Sequence, residues 1–272
     1  MKIVFIVFGV LATILLLSWL GLLVKPKSFE PYSQESSELK MVPLPNGLPS
    51  PVERFYKAVY GDQVPVIETV VIKGRAVISP FRVKFPARFI FVHNAGKDYR
   101  HYIEATWFGM PFMKVNESYV NEHSLFELPV IGTLDNDPAT SQAANLAVWA
   151  EASWFPSIWV TDPRVRWEPI DDHTALMFVP YGDIEENFVM RFNPDTNLLD
   201  SMEAMRFRDS GADAKKILWI TRSADGKKIE GTKLDAVGTA TWLDQGLPWA
   251  VFTLEEVKYN VEVSEYILQK GK

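Results

Sequence analysis

The sequence predicts a β-rich α+β fold: one large, curved antiparallel sheet, half-barrel-like, with two main helices packed on it and an N-terminal transmembrane helix ahead of it. Three observations predict this. Ile3 to Val24 form an apolar run without a charge. From residue 66 onward the apolar pattern is mostly that of strands, with turn residues between the runs. Only two segments, near 51–60 and 138–153, keep a helical pattern.

The apolar run spans 22 residues, about 33 Å of helix, enough to cross a hydrocarbon core of about 30 Å. It ends Trp19-Leu20-Gly21-Leu22-Leu23-Val24, without the small-residue pattern of a signal-peptidase site. An uncleaved anchor over residues 1–24 is therefore expected. Lys2 on one side faces Lys25 and Lys27 on the other, so positive charge alone does not orient it. A single N-terminal segment of this kind commonly serves export, which places the bulk of the chain on the extracytoplasmic side of a membrane.

Residues 25–47 are rich in proline and serine and carry no apolar period, as expected of an extended tether reaching up to roughly 75 Å. A single β-rich domain is expected over residues 48–268. It opens on Ser50-Pro51-Val52-Glu53, which reads as a capping box with Ser50 as N-cap. Val52, Phe55, Tyr56 and Val59 then give one apolar helix face, and Gly61 can end the helix.

Strand patterns follow at 66–79, 81–93, 99–107, 111–121 and 123–131. In the third, Tyr99, His101, Ile103, Ala105 and Trp107 share a face, with Arg100, Tyr102, Glu104 and Thr106 opposite. Asp137 as N-cap and Pro138 at the first position start the second helix. Leu146, Trp149, Ala150, Ser153 and Trp154 would be its buried stripe, and Ser141, Gln142 and Asn145 would face out. Trp154-Phe155-Pro156 stops it. Strands are then expected at 164–170, 174–181, 184–192, 198–208, 215–223, 228–243 and 248–263. Asn193 to Asn197 and Ala224-Asp225-Gly226-Lys227 mark turns.

Composition narrows the function. The 272 residues are 47% apolar, which excludes a disordered chain. Zero cysteine excludes disulfide scaffolds, thiolate metal sites and thiol catalysis. The net charge of −6 argues against a nucleic-acid partner. No nucleophile elbow, P-loop, dinucleotide fingerprint or metal-ligand spacing occurs, so neither cofactor nor metal is expected.

Two constellations remain. Asp171, Asp172 and His173, joined by Glu151, have the residue types of acid–base catalysis, as in a hydrolase. Lying between two strands, Asp171–His173 more simply form a hairpin turn whose aspartate accepts from backbone amides. The other is tryptophan. Trp149, Trp154 and Trp167 crowd into a short stretch and can line a cavity for an apolar ligand, or serve as core. With an anchor and no complete catalytic motif, the chain reads as a membrane-tethered, non-enzymatic envelope domain binding an apolar or lipid-like ligand or a protein partner.

Three segments also carry a resemblance. Gly47-Leu48-Pro49-x-Pro51-Val52-x-Arg54-Phe55-Tyr56, then Trp154-Phe155-Pro156, then Arg166-Trp167-Glu168-Pro169-Ile170-Asp171-Asp172-His173-Thr174-Ala175 resemble a bacterial family of membrane-anchored proteins known as a domain of unknown function. The resemblance implies no activity. The expected shape also looks like the half-barrels of lipoprotein carriers, a likeness of architecture that no motif carries.

Overall fold

A computed structural model of the chain describes residues 2–128, 132–223, 227–229 and 231–269. Helix α1 (Lys2–Leu23) is followed by the short strand β1 (Met41–Pro43), helix α2 (Ser50–Val59) and β2 (Gln63–Pro65), which pairs with β1. Six strands then run as a meander: β3 (Thr69–Ile78), β4 (Phe85–Asn94), β5 (Asp98–Trp107), β6 (Met110–Val120), β7 (His123–Leu128) and β8 (Gly132–Asp135). Helices α3 (Pro138–Glu151) and α4 (Ile158–Thr161) interrupt them. A second meander follows: β9 (Arg166–Asp171), β10 (Thr174–Tyr181), β11 (Ile184–Phe192), β12 (Leu199–Phe207), β13 (Lys216–Ser223), β14 (Val237–Trp242) and β15 (Pro248–Tyr259). Helix α5 (Ser264–Leu268) is the last element among the described residues.

The two meanders make one antiparallel sheet of 13 strands, in the order β8-β7-β6-β5-β4-β3-β15-β14-β13-β12-β11-β10-β9. They join where β15 pairs with β3. The connection from β8 to β9 therefore runs from one edge of the sheet to the other, and α3 lies in it. Tyr119 of β6 donates to Asn145 at 3.5 Å, and Ser124 of β7 meets Ser141 at 2.8 Å. Seven strands away, the backbone of β12 takes Gln142 through Met205 O at 3.0 Å and Phe207 N at 3.2 Å. One helix can touch both places only if the sheet curls around it. The expected half-barrel is what forms.

Helix α3 differs from the expected half-exposed helix. Ser141, Gln142 and Asn145, expected outside, are buried together with every residue from Ala143 to Ala150. Their side chains meet polar groups of the surrounding wall, the Ser124 and Tyr119 hydroxyls and, for Gln142, the backbone of β12. A polar face here marks contact with strands, not with water. Its start is as expected: Asp137 accepts from Thr140 N at 2.9 Å. Helix α2 begins without the capping box. Pro49 is the N-cap, Ser50 accepts from Arg54 at 2.6 Å, and Glu53 pairs with Lys57 at 2.6 Å. Its buried Val52, Phe55 and Tyr56 pack towards β10 and β11, with Phe55 5.5 Å from Phe192.

Two further differences concern strands. The run expected at 228–243 is a strand only over β14; before it, Lys228 and Asp235 form an isolated bridge closed by their own ion pair at 2.6 Å. Leu128 ends β7, and the last three residues of the strand expected at 123–131 lie outside the described residues, as do Ala224, Asp225 and Gly226 of the second turn. The first turn is built by Asn193, whose side chain accepts from the amides of Asp195 and Thr196, both at 2.9 Å.

Residues 28–37, expected within an extended tether, are extended but lie along the outer face of the sheet. Ser28 donates to Glu255 at 2.7 Å, the Tyr32 amide to Glu256 at 3.1 Å, and Ser37 to Asn260 O at 2.9 Å. Together with α5 they cover Val71, Ile90 and Val92. Strands β3 to β5 are thus largely buried on both faces, which is why the Val/Ile residues at each end of β3 are consecutive rather than alternating.

Gly74 of β3 faces the register shift between Leu254 and Glu256 in β15; a Cβ there would collide with Thr253 O and stand 3.0 Å from the Phe89 ring. Gly74→Ala is expected to cost about 1–3 kcal/mol by overpacking, read as a lower denaturant midpoint with an unchanged slope.

Candidate functional site

Strand pairing sets a polar row on the inner face. His101 of β5 lies opposite Phe91 of β4 and Glu117 of β6, and His93 follows Phe91 two residues later. With a side-chain period of two, His93, His101 and Glu117 all point to the same side, beneath α3. Glu151, the last residue of α3, reaches them from above. Its Oε2 is 3.0 Å from His93 Nε2 and 2.8 Å from His101 Nε2. Glu117 Oε2 stands 3.7 Å from His101 Nδ1 and its other oxygen accepts from the Tyr99 hydroxyl.

Packing holds this row rigid. The His101 ring is stacked on Tyr99 (centroids 3.9 Å, 13° between planes) and meets Phe91 at 4.0 Å. His93 is fully buried and His101 is 3% exposed. Burial alone would strip both imidazoles of charge. For His93 it prevails and its pKa falls; for His101 the facing Glu151 and Glu117 overcome it and lift the ring to about 9. Burial likewise works against the charge on Glu151, but His101 holds that carboxyl at about 2. Arg206 of β12 is a second positive group near Glu117. It donates to Ala143 O at 3.0 Å and lies 4.4 Å over the Trp219 ring.

Beside the row, a cleft opens between the end of α3 and strands β12 to β15. Trp154, Trp219, Trp249 and Phe252 wall it, and Glu117, Glu151 and Arg206 form its polar end; it encloses about 90 Å³. The indole N–H groups of Trp219 and Trp249 are buried without a hydrogen-bond partner among the described residues. The cleft therefore offers apolar walls, two unused donors and a guanidinium. A larger groove of about 780 Å³ lies by α4, but it is broad and open. There Arg164 is already bound to Asp162 at 2.6 Å and to Gly96 O at 2.8 Å.

The sequence-derived site residues are separated. Asp171, Asp172 and His173 form the exposed turn between β9 and β10, where the Asp171 carboxylate accepts from His173 N at 2.8 Å. Glu151 lies in the interior with His93 and His101 instead. Of the three tryptophans, Trp154 borders the cleft. Trp149 is core, accepting from Trp159 Nε1 at 3.0 Å, and Trp167 is half-buried, donating to Trp159 O at 3.1 Å. His93, His101, Glu117 and Arg206 were missed because their spacings are those of no motif. The signal available was His101 itself, a titratable residue on the apolar face of an alternating strand.

A second feature lies at the far end of the sheet. The β5–β6 hairpin tip touches α1: Trp107 Nε1 donates to Ser18 O at 3.0 Å and Phe108 N to Gly21 O at 2.9 Å. Gly21 permits the approach, since a Cβ there would overlap the Trp107 ring and stand 2.8 Å from Phe108. Around the contact Trp107, Phe108, Met110 and Phe112 are exposed, Met110 by 70%.

The chain belongs to DUF6544, a family of unknown function whose profile matches residues 39–254. No curated protein matches it. Among solved structures, it is similar to a LolA superfamily protein from Nitrosomonas europaea at 12% identity and TM-score 0.45, covering 81% of this chain and 96% of that one. It is also similar to a DUF1329 family protein from Desulfovibrio piger at 12% identity and TM-score 0.45, covering 75% and 90%.

Removing one member of a buried charge pair leaves the other uncompensated. Glu151→Gln is expected to destabilise the fold by about 3–5 kcal/mol in denaturant titrations, whereas Asp172→Asn in the exposed turn should change stability by less than about 0.5 kcal/mol.

Proposed function

We propose that this member of the DUF6544 family is held at a bilayer by α1 and there binds one end of an amphipathic, lipid-like ligand in the cleft beside α3, without catalysing a reaction. The observation that carries the reading is the pair of unpartnered buried indole donors, Trp219 Nε1 and Trp249 Nε1, in an apolar wall that ends at Arg206. Acceptor oxygens of a carboxylate, ester or phosphate would satisfy those donors. Trp154 and Phe252 would pack the adjoining hydrocarbon. About 90 Å³ is the room of some three waters, so a head group enters and the chain trails through the mouth.

The anchor reading is supported by the hairpin contact. A segment destined for removal has no need of a seat on the domain, yet Ser18 and Gly21 of α1 are hydrogen-bonded to Trp107 and Phe108. Exposed aromatic residues at the end of an apolar helix suit the membrane interface, with Lys25 and Lys27 reaching to head groups. The extracytoplasmic side remains part of this proposal.

Two measurements test these readings. With the full chain in nanodiscs, a brominated fatty acid is expected to quench tryptophan emission, and Trp219→Phe together with Trp249→Phe should raise the concentration needed for half-quenching about 30-fold, two hydrogen bonds' worth of about 2 kcal/mol. Quenching that is the same in wild type and in the double variant would overturn the cleft as the site. Intact-mass analysis of the membrane-extracted protein should return a chain that keeps residues 2–24; a mature N-terminus near residue 25 would overturn the anchor.

A further inference from the structure

We propose that His93, His101 and Glu151 form a binding site for a divalent first-row transition cation of borderline softness, Zn²⁺ being the representative. The site is built from other atoms than those facing the lipid-like ligand, although both border the same cleft. Three ligand atoms, two imidazole Nε2 and one carboxylate Oε2, lie within 4.8 Å of one another. The nitrogens are 3.0 and 2.8 Å from the same oxygen, yet neither makes a hydrogen bond to it, and that oxygen accepts none. A hydrogen bond requires the acceptor to lie along the N–H direction. Groups this close and misaligned face a shared point rather than each other. With metal–ligand bonds of about 2.0–2.2 Å, a tetrahedral ion needs its ligand atoms roughly 3.3 Å apart. Each nitrogen–oxygen pair would open by about half an ångström or less, and the two nitrogens, within 4.8 Å of each other, would settle to the same spacing.

His93 adds a second, separate argument. It is fully buried, and both of its ring nitrogens lack a hydrogen-bond partner among the described residues. A buried polar group left so is costly unless something outside the protein's own atoms satisfies it. The site is too polar to be ordinary core and its histidine too buried to be solvated.

The surroundings fit a cation. The Nδ1 of His101 faces Glu117 at 3.7 Å, and Glu117 is itself fixed by the Tyr99 hydroxyl, an arrangement of the kind that orients metal-bound histidines. Tyr99 and Phe91 clamp the ring. Two carboxylates against the single guanidinium of Arg206 leave a net negative setting when both imidazoles are neutral, the state that binds metal. Imidazole and carboxylate donors with no thiolate suit Zn²⁺ or Fe²⁺ better than soft ions. Glu151 and Glu117 also border the cleft, which supplies an entry path and room for a further ligand.

The test uses the full chain, purified with chelator and then freed of it. Calorimetric titration with Zn²⁺ should give one equivalent bound together with a raised melting temperature, and Co²⁺ should give visible d–d absorption of a low-coordinate N/O site. His93→Asn and Glu151→Gln should weaken binding at least tenfold. His123→Ala and His173→Ala remove the two exposed histidines and should leave it unchanged. No binding by the wild type, or binding that disappears with His123 or His173, would overturn the site. Should the interior variants fail to fold, the wild-type Co²⁺ spectrum decides alone: strong d–d bands support the site, and their absence rejects it.

Discussion

A helix buried on every side depends on the wall around it to answer the polar side chains it carries. Helix α3 is such a helix, and the shape of the molecule follows from it. Its chain enters from one edge of a 13-stranded sheet and leaves towards the other, so the sheet closes on it from both sides. Ser141 is answered by β7, Asn145 by β6 and Gln142 by β12. These bonds fix how far round the sheet curls, and they fix where Glu151 ends up. The position of the interior charge is a consequence of how the helix is held.

The interior row shows how a sheet tolerates ionisable groups. His101 and Glu151 are ionised because each lowers the cost of burying the other, while His93 stays neutral because burial outweighs the pull of Glu151 on it. The cleft borders that row, so whatever enters meets organised charge behind aromatic walls. A site of this kind gains its precision from strands and a packed helix rather than from loops.

On the outer face the same sheet carries a second polar layer. Lys73 donates to Glu30 O at 2.6 Å, Arg88 pairs with Glu104 at 2.6 Å, and Tyr102 donates to Glu104 at 2.6 Å. Residues 28–37 cover part of it, with Phe29 under the Arg88 guanidinium at 4.2 Å. The segment after α1 therefore links helix and sheet directly, and the β5–β6 tip meets α1 a short distance away. Apolar helix, strap and hairpin form one seam at that end of the molecule.

Local physics made much of this legible. Charge-free length defined α1, period-two alternation gave the strands, Asp137-Pro138 placed the start of α3, and the absence of any helix between hairpin-linked strands made the sheet antiparallel. Side-chain direction within a strand follows from the chain itself, so the inward face of β5 was readable down to His101. What approaches that face was not. Partners of Ser141, Gln142 and Asn145 come from strands up to 65 residues away, so their polarity looked like solvent exposure. His93, His101 and Glu151 converge only because two neighbouring strands and a crossing helix meet in space, and Asp171–His173 stay apart from Glu151 for the same reason. The sequence by itself determined periodicity, the Asp137 cap of α3 and the apolar N-terminal helix, since those arise between near neighbours along the chain. Only the tertiary structure decided which buried polar groups face one another, because that depends on how a sheet bends around a helix.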